Sequence, residues 1–270
     1  MSLKVLSLNI CCPNRWDDKS SRLKSIVDSE TPDILCLQEV ALNISEDTPK
    51  NNQLHKINKM FKATYYHGAL THPYFPGGER AHQDCYHGPG FFILNPELKV
   101  ISTEDITIFK GEGREYKNTA CRLSYKGKSI VVLNVHLSAE HRETETDITL
   151  KWINDNTDDD DSLIVCGDFN SFNCKTGKDV DSRFREQFSD AWQDLNSEEI
   201  GETYFGVNWW KQNYPDHETT KKFIKKNAEF GSNRLDYVFY RGLKPISIEI
   251  IDTGIPVLTD HAGLSTEFDI

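Results

Sequence analysis

What most constrains the fold of this chain is a set of short apolar runs that each close on a polar side chain. The run 162–166 leads into VCGDFNS, which carries Asp168 and Asn170. Side chains two apart on a strand share a face, so this carboxylate and this amide are expected to face one point together. Asp, Asn and Gly are also good turn formers, so the string alone marks a strand end and a tight turn. It has company, however. LKVLSLNI closes near Asn9, PDILCLQEV on Glu39, SIVVLNVHLS carries His136, NRLDYVFY carries Asp236, and VLTDHAGLS sets Asp260 beside His261. Buried charge is costly unless it is paired or metal-bound. Packing alone does not select that cost at the end of run after run.

Apolar periodicity supplies the remaining elements. Helical spacing is read at 16–29 (Leu23, Ile26, Val27), 52–61 (Leu54, Ile57, Phe61), 143–156 (Ile148, Trp152, Ile153) and, more briefly, 181–188. Strands are expected at 4–10, 32–37, 90–94, 100–109, 116–123, 129–136, 162–166, 235–240, 246–251 and 264–268, with Gly127 marking a hairpin turn. So many strands in mixed order exceed a simple doubly wound sheet. Two sheets packed face to face, with helices outside, would bury them. No linker or repeat divides the 270 residues, so one catalytic domain over 1–270 is expected.

The pieces SLN, LQEV, NVHLS, GDFNS, RLDYVF and TDH stand in this order between residues 7 and 261. The ordered set resembles the endonuclease/exonuclease/phosphatase superfamily. The resemblance implies an α/β fold, a four-layer α/β/β/α sandwich of two packed mixed β-sheets, with its site where strand ends of both sheets meet. It also implies a metal-dependent phosphoric ester hydrolase. Glu39, with Asn9 and Asp260, forms a hard oxygen set that suits Mg2+, or Mn2+, over zinc. The matching catalytic positions are His136, Asp168, Asn170, Asp236 and His261. By that likeness His261 contacts the scissile phosphate or helps activate water, and His136 donates to a phosphate oxygen. Asp168 orients or deprotonates the water, or protonates the leaving oxygen. Asn170 donates to a non-bridging oxygen. Asp236 fixes a histidine tautomer, the alternative being a salt bridge to Arg234. The reaction implied is attack of water on phosphorus; no GxSxG frame or phosphate-cradling glycine loop is present.

A net charge of −11 weighs against general attraction to nucleic acid without excluding a nuclease, because a cation and a local basic patch act within an acidic whole. The 7 cysteines show no CxxC spacing, and Cys36 and Cys166 sit in apolar runs, which suits a reducing compartment. With no leader-like N-terminus and no apolar run approaching ~18 residues, a cytoplasmic protein without membrane insertion is expected. The acidic run 158–161 reads as a solvated loop rather than a calcium site.

Substrate choice is expected in two stretches. Residues 65–89 hold His67, His72, His82, Cys85 and His87, and read as a recognition loop; the spacings fit no standard zinc frame. Residues 204–231 combine Trp209, Trp210 and Tyr214 with Lys221, Lys222, Lys225 and Lys226, either to stack bases and hold a backbone or as a helix covering a sheet edge. Arg114 and Lys117 are candidate phosphate contacts. The partner is a phosphate-ester substrate: nucleic acid in one reading, a phosphorylated lipid or inositol in the other. A binding module without catalysis is the third reading, and the intact residue set opposes it.

Overall fold

The computed structural model describes residues 2–11, 16–43, 52–73, 85–111, 114–171, 180–205, 234–253 and 258–270. Within them the chain runs β1 (Ser2–Asn9), α1 (Trp16–Glu30), β2 (Ile34–Asn43), α2 (Gln53–Phe61), β3 (Tyr65–Gly68), β4 (His72–Pro73) and β5 (Cys85–Ile93). It continues through β6 (Lys99–Gly111), β7 (Arg114–Tyr125), β8 (Lys128–His136), α3 (Arg142–Asn156), β9 (Ser162–Asp168), α4 (Val180–Arg185), β10 (Ser189–Asp190) and α5 (Ala191–Leu195). It closes with β11 (Asp236–Arg241), β12 (Lys244–Ile251) and β13 (Gly263–Asp269).

One sheet is ordered β12-β13-β1-β2-β5-β3, with β4 also paired to β5; the other is ordered β10-β11-β9-β8-β7-β6. Each is antiparallel except at its centre, where β1 pairs β2 in parallel and β8 pairs β9 in parallel. A strand buried on both faces reads as a continuous apolar run, because odd and even residues both meet a core. Val5, Ile34, Val132, Ile164 and Cys166 point between the sheets. Their neighbours point outward, where Leu6, Leu8, Leu35 and Leu37 meet Leu23 and Ile26 of α1 and Leu54 and Ile57 of α2. On the other outer face Val131, Leu133 and Val165 meet Leu150 and Ile153 of α3. The result is the four-layer α/β/β/α sandwich of two mixed sheets.

Every expected strand and helix is present, and most run longer than the pattern suggested. The short pieces β3, β4, β10 and α5 were not read from the sequence. One correction follows for 65–89: its ends, 65–68 and 85–89, are not loop but strand, since β3 and β5 pair from Tyr65↔Ile93 to Gly68↔Gly90. The acidic run is exposed at Asp158, Asp159 and Asp160, as expected, and only its last member departs: Asp161 is buried and its two carboxylate oxygens accept from Arg122 Nη1 at 2.7 and 2.9 Å.

Candidate active site

The site arises from a polarity gradient along the inward faces of four strands. From start to end these faces read Leu3, Val5, Ser7, Asn9 on β1 and Ile34, Cys36, Gln38 on β2. They read Ile130, Val132, Asn134, His136 on β8 and Ile164, Cys166, Asp168 on β9. Ser7, Gln38 and Asn134 form a buried amide layer. Gln38 Nε2 donates to Asn134 Oδ1 at 2.7 Å and to Ser7 Oγ at 3.2 Å. Asn134 Nδ2 donates to the carbonyls of Leu37 and Gly90, both at 2.9 Å. These bonds tie β8 of one sheet to β1, β2 and β5 of the other, directly beneath the next layer of polar side chains. In a low-dielectric interior such bonds are stronger than in water, although Gln38 Oε1 has no protein partner among the described residues.

That next layer converges on one atom, Asp168 Oδ2. Asn9 Nδ2 donates to it at 3.0 Å and to Glu39 Oε1 at 3.2 Å. His136 Nε2 lies 3.8 Å from it and His261 Nε2 lies 3.7 Å from it. The ladder brings these groups together: Asp168 is opposite His136 on β8 and opposite Asp236 on β11. Like charges directly opposite in a sheet repel. The His261 ring relieves that repulsion: its Nδ1–H donates to Asp236 Oδ2 at 2.8 Å. Arg234, the other candidate partner of Asp236, instead donates to Asp190 at 2.6 Å.

Local backbone geometry aims several of these groups. By alternation Glu39 should face away from the site, because Gln38 faces in. The register of β2 against β5 shifts between Leu37 and Val40, and Glu39 takes a left-handed φ of 56°. Such bulges re-aim a side chain next to functional sites, and the conformation costs a non-glycine residue free energy. It turns Glu39 toward Asn9, with its Oε1 4.0 Å from His136 Nε2. Asp168 and Asn170 meet through a turn rather than through the pleat. Asn170 has φ 48°, its backbone N–H donates to Asp168 Oδ1 at 2.8 Å, and its side-chain Nδ2 donates to the Leu137 carbonyl at 2.6 Å. Gly167 before them is required: its φ is +140°, and a Cβ there would lie 1.9 Å from the Val135 carbonyl oxygen.

Cys11 also has a left-handed φ, of 47°, where the chain leaves β1. Its N–H donates to Asn9 Oδ1 at 2.8 Å, and its carbonyl accepts from the buried Lys19 Nζ at 2.6 Å. The thiol hydrogen-bonds Asp260; burial first, then Asp260 and Glu39, push its pKa well up. Asp260 and His261 are locked by a short clamp. Phe205 N–H donates to the Asp260 carbonyl at 2.8 Å and Ala262 N–H to the Thr203 carbonyl at 2.7 Å, around a Tyr204–His261 bridge. Thr203 Oγ1 accepts from the N–H groups of Leu235 at 3.1 Å and Asp236 at 3.0 Å. The clamp thus joins the segment bearing Asp236 to the one bearing Asp260 and His261.

The electrostatics follow. Burial pulls the His261 imidazole toward its neutral form, but Asp236, Asp168 and Asp260 outweigh it and hold the ring protonated well above its ordinary range. Burial, with Asp236 adding, raises Asp168 to about 6 against the opposing pull of His261, His136 and the Asn170 N–H. On the other side, His136 N–H donates to Asn118 Oδ1 at 2.9 Å, and its ring faces that of His87 at 5.9 Å. His87 is buried, and burial, then His136, lowers its pKa to about 3.

The structure therefore gathers Asn9, Glu39, His136, Asp168, Asn170, Asp236, Asp260 and His261 at one end of the sandwich. Among the described residues, ligand atoms of Asp168, Asp236 and His261 lie within 4.8 Å of one another. His261 already answers both of those carboxylates, so this triad fits proton handling. Glu39 and Asp260 bring carboxylate oxygens from separate elements to the Asn9–Cys11 corner, a donor set that fits a hard divalent cation. Asn9 directs its amide nitrogen to the carboxylates, while its oxygen takes the Cys11 N–H.

Of the other expected residues, Lys117 pairs with Glu115 at 3.5 Å and His67 with Asp105 at 2.6 Å. The side chains of Arg114, His72 and Cys85 lie outside the described residues, as do His82, Trp209, Trp210, Tyr214, Lys221, Lys222, Lys225 and Lys226. Sequence reasoning missed Ser7, Gln38, Asn134, Asn118, Lys19 and Thr203, and it left Tyr204 without a role. Period two marked Ser7 and Asn134, each two residues before a strand end, at Asn9 and His136; Gln38 directly precedes Glu39 within β2. Nothing local marked the others.

The two-sheet architecture is shared by several solved structures. Danio rerio TDP2 complexed with single-strand DNA product is 17% identical, with a TM-score of 0.72, over 100% of this chain and 99% of that one. The human Nocturnin catalytic domain with bound sulfate is 20% identical, with a TM-score of 0.68, over 99% and 93%. An endonuclease/exonuclease/phosphatase family protein from Leptotrichia buccalis C-1013-b is 17% identical, with a TM-score of 0.72, over 99% and 100%. At these identities the likeness is one of fold. No curated protein sequence matches the chain. The sequence model of the Endonuclease/Exonuclease/phosphatase family matches residues 6–261, and the chain belongs to that family.

Proposed function

We propose that the chain, as one catalytic domain over 1–270, is a divalent-metal-dependent phosphoesterase that hydrolyses a phosphodiester of nucleic-acid type by in-line attack of water. The observation that supports it is the convergence of Asn9, His136 and His261 on Asp168 Oδ2. A carboxylate raised to about 6 exchanges protons near neutrality, as a general base must. Asp168 accepts the proton of the attacking water as the new P–O bond forms and the P–O ester bond opposite it breaks. The protonated His261, held by Asp236, faces the charge that builds on the phosphoryl oxygens. His136 approaches the same centre from the β8 side, and the Asn170 amide, whose Nδ2 already donates to the Leu137 carbonyl, has its second N–H to offer a phosphoryl oxygen. Fixed donors of this kind contribute most where charge develops. Glu39 and Asp260, with Asn9, would hold Mg2+ or Mn2+, which supplies Lewis-acid polarisation of a phosphoryl oxygen and charge for the leaving oxygen.

No described helix is long and apolar enough to cross a membrane. The TDP2 relative was crystallised with a single-strand DNA product, which favours a nucleic-acid substrate here over a phosphorylated lipid or inositol. A panel of plasmid DNA, single strands, 5′-tyrosyl DNA, sphingomyelin and inositol phosphates, with Mg2+ present or chelated, tests the reading. Cleavage of a DNA phosphodiester is expected, lost on chelation and in Glu39→Gln at low Mg2+. Turnover of only the lipid or inositol arm replaces the substrate class. No turnover in any arm ends the reading.

A further inference from the structure

Glu145 has no part in the mechanism above, yet it is a carboxylate with 0% exposure in the first turn of α3. Burying a carboxylate is costly unless hydrogen bonds answer it. One residue answers both of its oxygens. Ser138 N–H donates to Oε2 at 2.6 Å, and the Ser138 hydroxyl donates to Oε1 at 2.8 Å. Ser138 Oγ also accepts the His141 N–H at 3.0 Å, which closes the turn from β8 into α3. Burial pushes the Glu145 pKa up, against the two bonds from Ser138 and the pull of His136 and His141.

The two bonds serve different ends. The one to the Ser138 hydroxyl belongs to the helix turn. The one to the Ser138 N–H reaches the site, because that N–H shares a peptide group with the Leu137 carbonyl. The same carbonyl accepts Asn170 Nδ2 at 2.6 Å. A peptide group is planar, so fixing the direction of its N–H fixes that of its C=O. Hydrogen bonds in series also polarise one another: an N–H given to a carboxylate makes its own carbonyl the better acceptor. A row thus runs from Glu145 Oε2 through the 137–138 peptide to the Asn170 amide. Its far end is the second N–H of Asn170, the one offered to a phosphoryl oxygen. Asn170 itself sits in a left-handed turn, φ 48°, with its backbone N–H tied to Asp168 Oδ1 at 2.8 Å. Its side-chain amide takes its direction from the Leu137 carbonyl. An apolar side chain at 145 would avoid the burial of charge, but it would leave the Ser138 N–H without this acceptor.

We infer that Glu145 is a positioning residue for the Asn170 amide, acting through the Leu137–Ser138 peptide. The task of Asn170 rests on the phosphoesterase reading, while the coupling of Glu145 to Asn170 is measured without turnover.

The Asn170 side-chain amide is followed by 1H–15N NMR in wild type, Glu145→Gln and Glu145→Ala, its signals identified by their absence in Asn170→Ala. The proton bonded to Leu137 should move upfield in Glu145→Gln, where a neutral amide replaces the carboxylate, and further in Glu145→Ala. The second readout is a double-mutant cycle on cleavage of the DNA phosphodiester. Glu145→Ala should lower kcat about tenfold with KM within about twofold, a part of the ~10²–10³ that a lost oxyanion donor costs. Added to Asn170→Ala, it should lower kcat by less than about twofold more. A residue that merely closes the helix turn would cost the same in both backgrounds. That result, or Asn170 signals unmoved in both Glu145 variants, overturns the inference. Should Glu145→Ala fail to fold, the Asn170 signal in Glu145→Gln decides alone. A wild-type protein without turnover on any phosphodiester removes the phosphoesterase reading, and the NMR signals still decide the coupling.

Discussion

His136 and His261 reach the same oxygen of Asp168 at nearly equal distances, 3.8 and 3.7 Å, and everything behind them differs. Behind His261 is an anion, Asp236, at 2.8 Å. Behind His136 is a second imidazole, His87, which burial keeps neutral down to about 3. The backbone supports differ as well. His261 is pinned by Thr259 through its N–H at 3.2 Å, by Thr253 through its carbonyl at 2.8 Å and by the bridge to Tyr204. His136 ends a regular strand, and its backbone N–H donates to Asn118 Oδ1 at 2.9 Å. The contrast teaches that the group behind a ring, rather than the ring, assigns its task. One side is built to keep a positive charge in place and the other to keep charge away from its supporting neighbour.

The change that erases the contrast has the largest expected effect. Asp168→Asn removes the oxygen on which both rings converge, and kcat should fall by at least ~100-fold, with the fold intact by circular dichroism. A near-normal rate would remove Asp168 from the chemistry. Next comes Asp236→Asn, which leaves the shape of the His261 side and removes its anion. Asp236 helps raise the His261 pKa, so its loss should lower that pKa, visible as an imidazole NMR titration moving to lower pH. Turnover should fall by roughly 100-fold, on the scale of a lost charge partner behind a catalytic imidazole. If the titration does not move, Asp236 is not what holds the charge. Smaller still, His87→Gln keeps a neutral polar group behind His136 and should cost turnover less than ~10-fold, below the range for loss of an acid–base group. A larger loss than that of Asp236→Asn would reverse the comparison.

How much of this was legible depends on where each group sits along the chain. Strand-end residues such as His136 and Asp168 announce themselves, because an apolar run has to stop on them. Glu39 was read as a run-end carboxylate, but β2 continues past it to Asn43, and its direction was not readable: period two faces it outward, and only the bulge against β5 turns it in. The joining of Asp168 to Asn170 was assigned to the pleat, while the structure uses a turn with a left-handed Asn170. Residues 65–89 looked like a loop because glycines, Gly68 and Gly88 among them, punctuate the stretch. Those two are strand positions where a Cβ has no room; at Gly88 it would lie 2.0 Å from the Ala69 carbonyl. Trimming 71–87 would therefore also remove β4 and the start of β5. Tyr204 and Thr203 were invisible for another reason. Their partners lie more than 30 residues away in sequence, and no local spacing connects a short clamp to the segments it joins.

The smallest expected effect concerns stability and isolates the His136 side. His87 has a folded pKa of about 3 against the usual 6.5, so between those values the unfolded chain binds a proton that the native chain does not. Stability then rises with pH across that window and is lost as pH falls from 6.5 toward 3, with a limiting slope of about 1.4 kcal/mol per pH unit for one proton. His87→Gln abolishes that proton. Urea unfolding of wild type and variant between pH 4 and pH 7 should give curves that coincide near neutrality and separate at acid pH, where the variant becomes the more stable, or that cross if glutamine packs less well. The expected signature is the difference in slope, not in absolute stability, since the slope counts protons and is blind to a packing defect. Parallel curves would mean that His87 is hydrated or charged in the folded protein. The neutral ring behind His136 would then no longer distinguish it from His261, and the asymmetry of the site would rest on Asp236 alone.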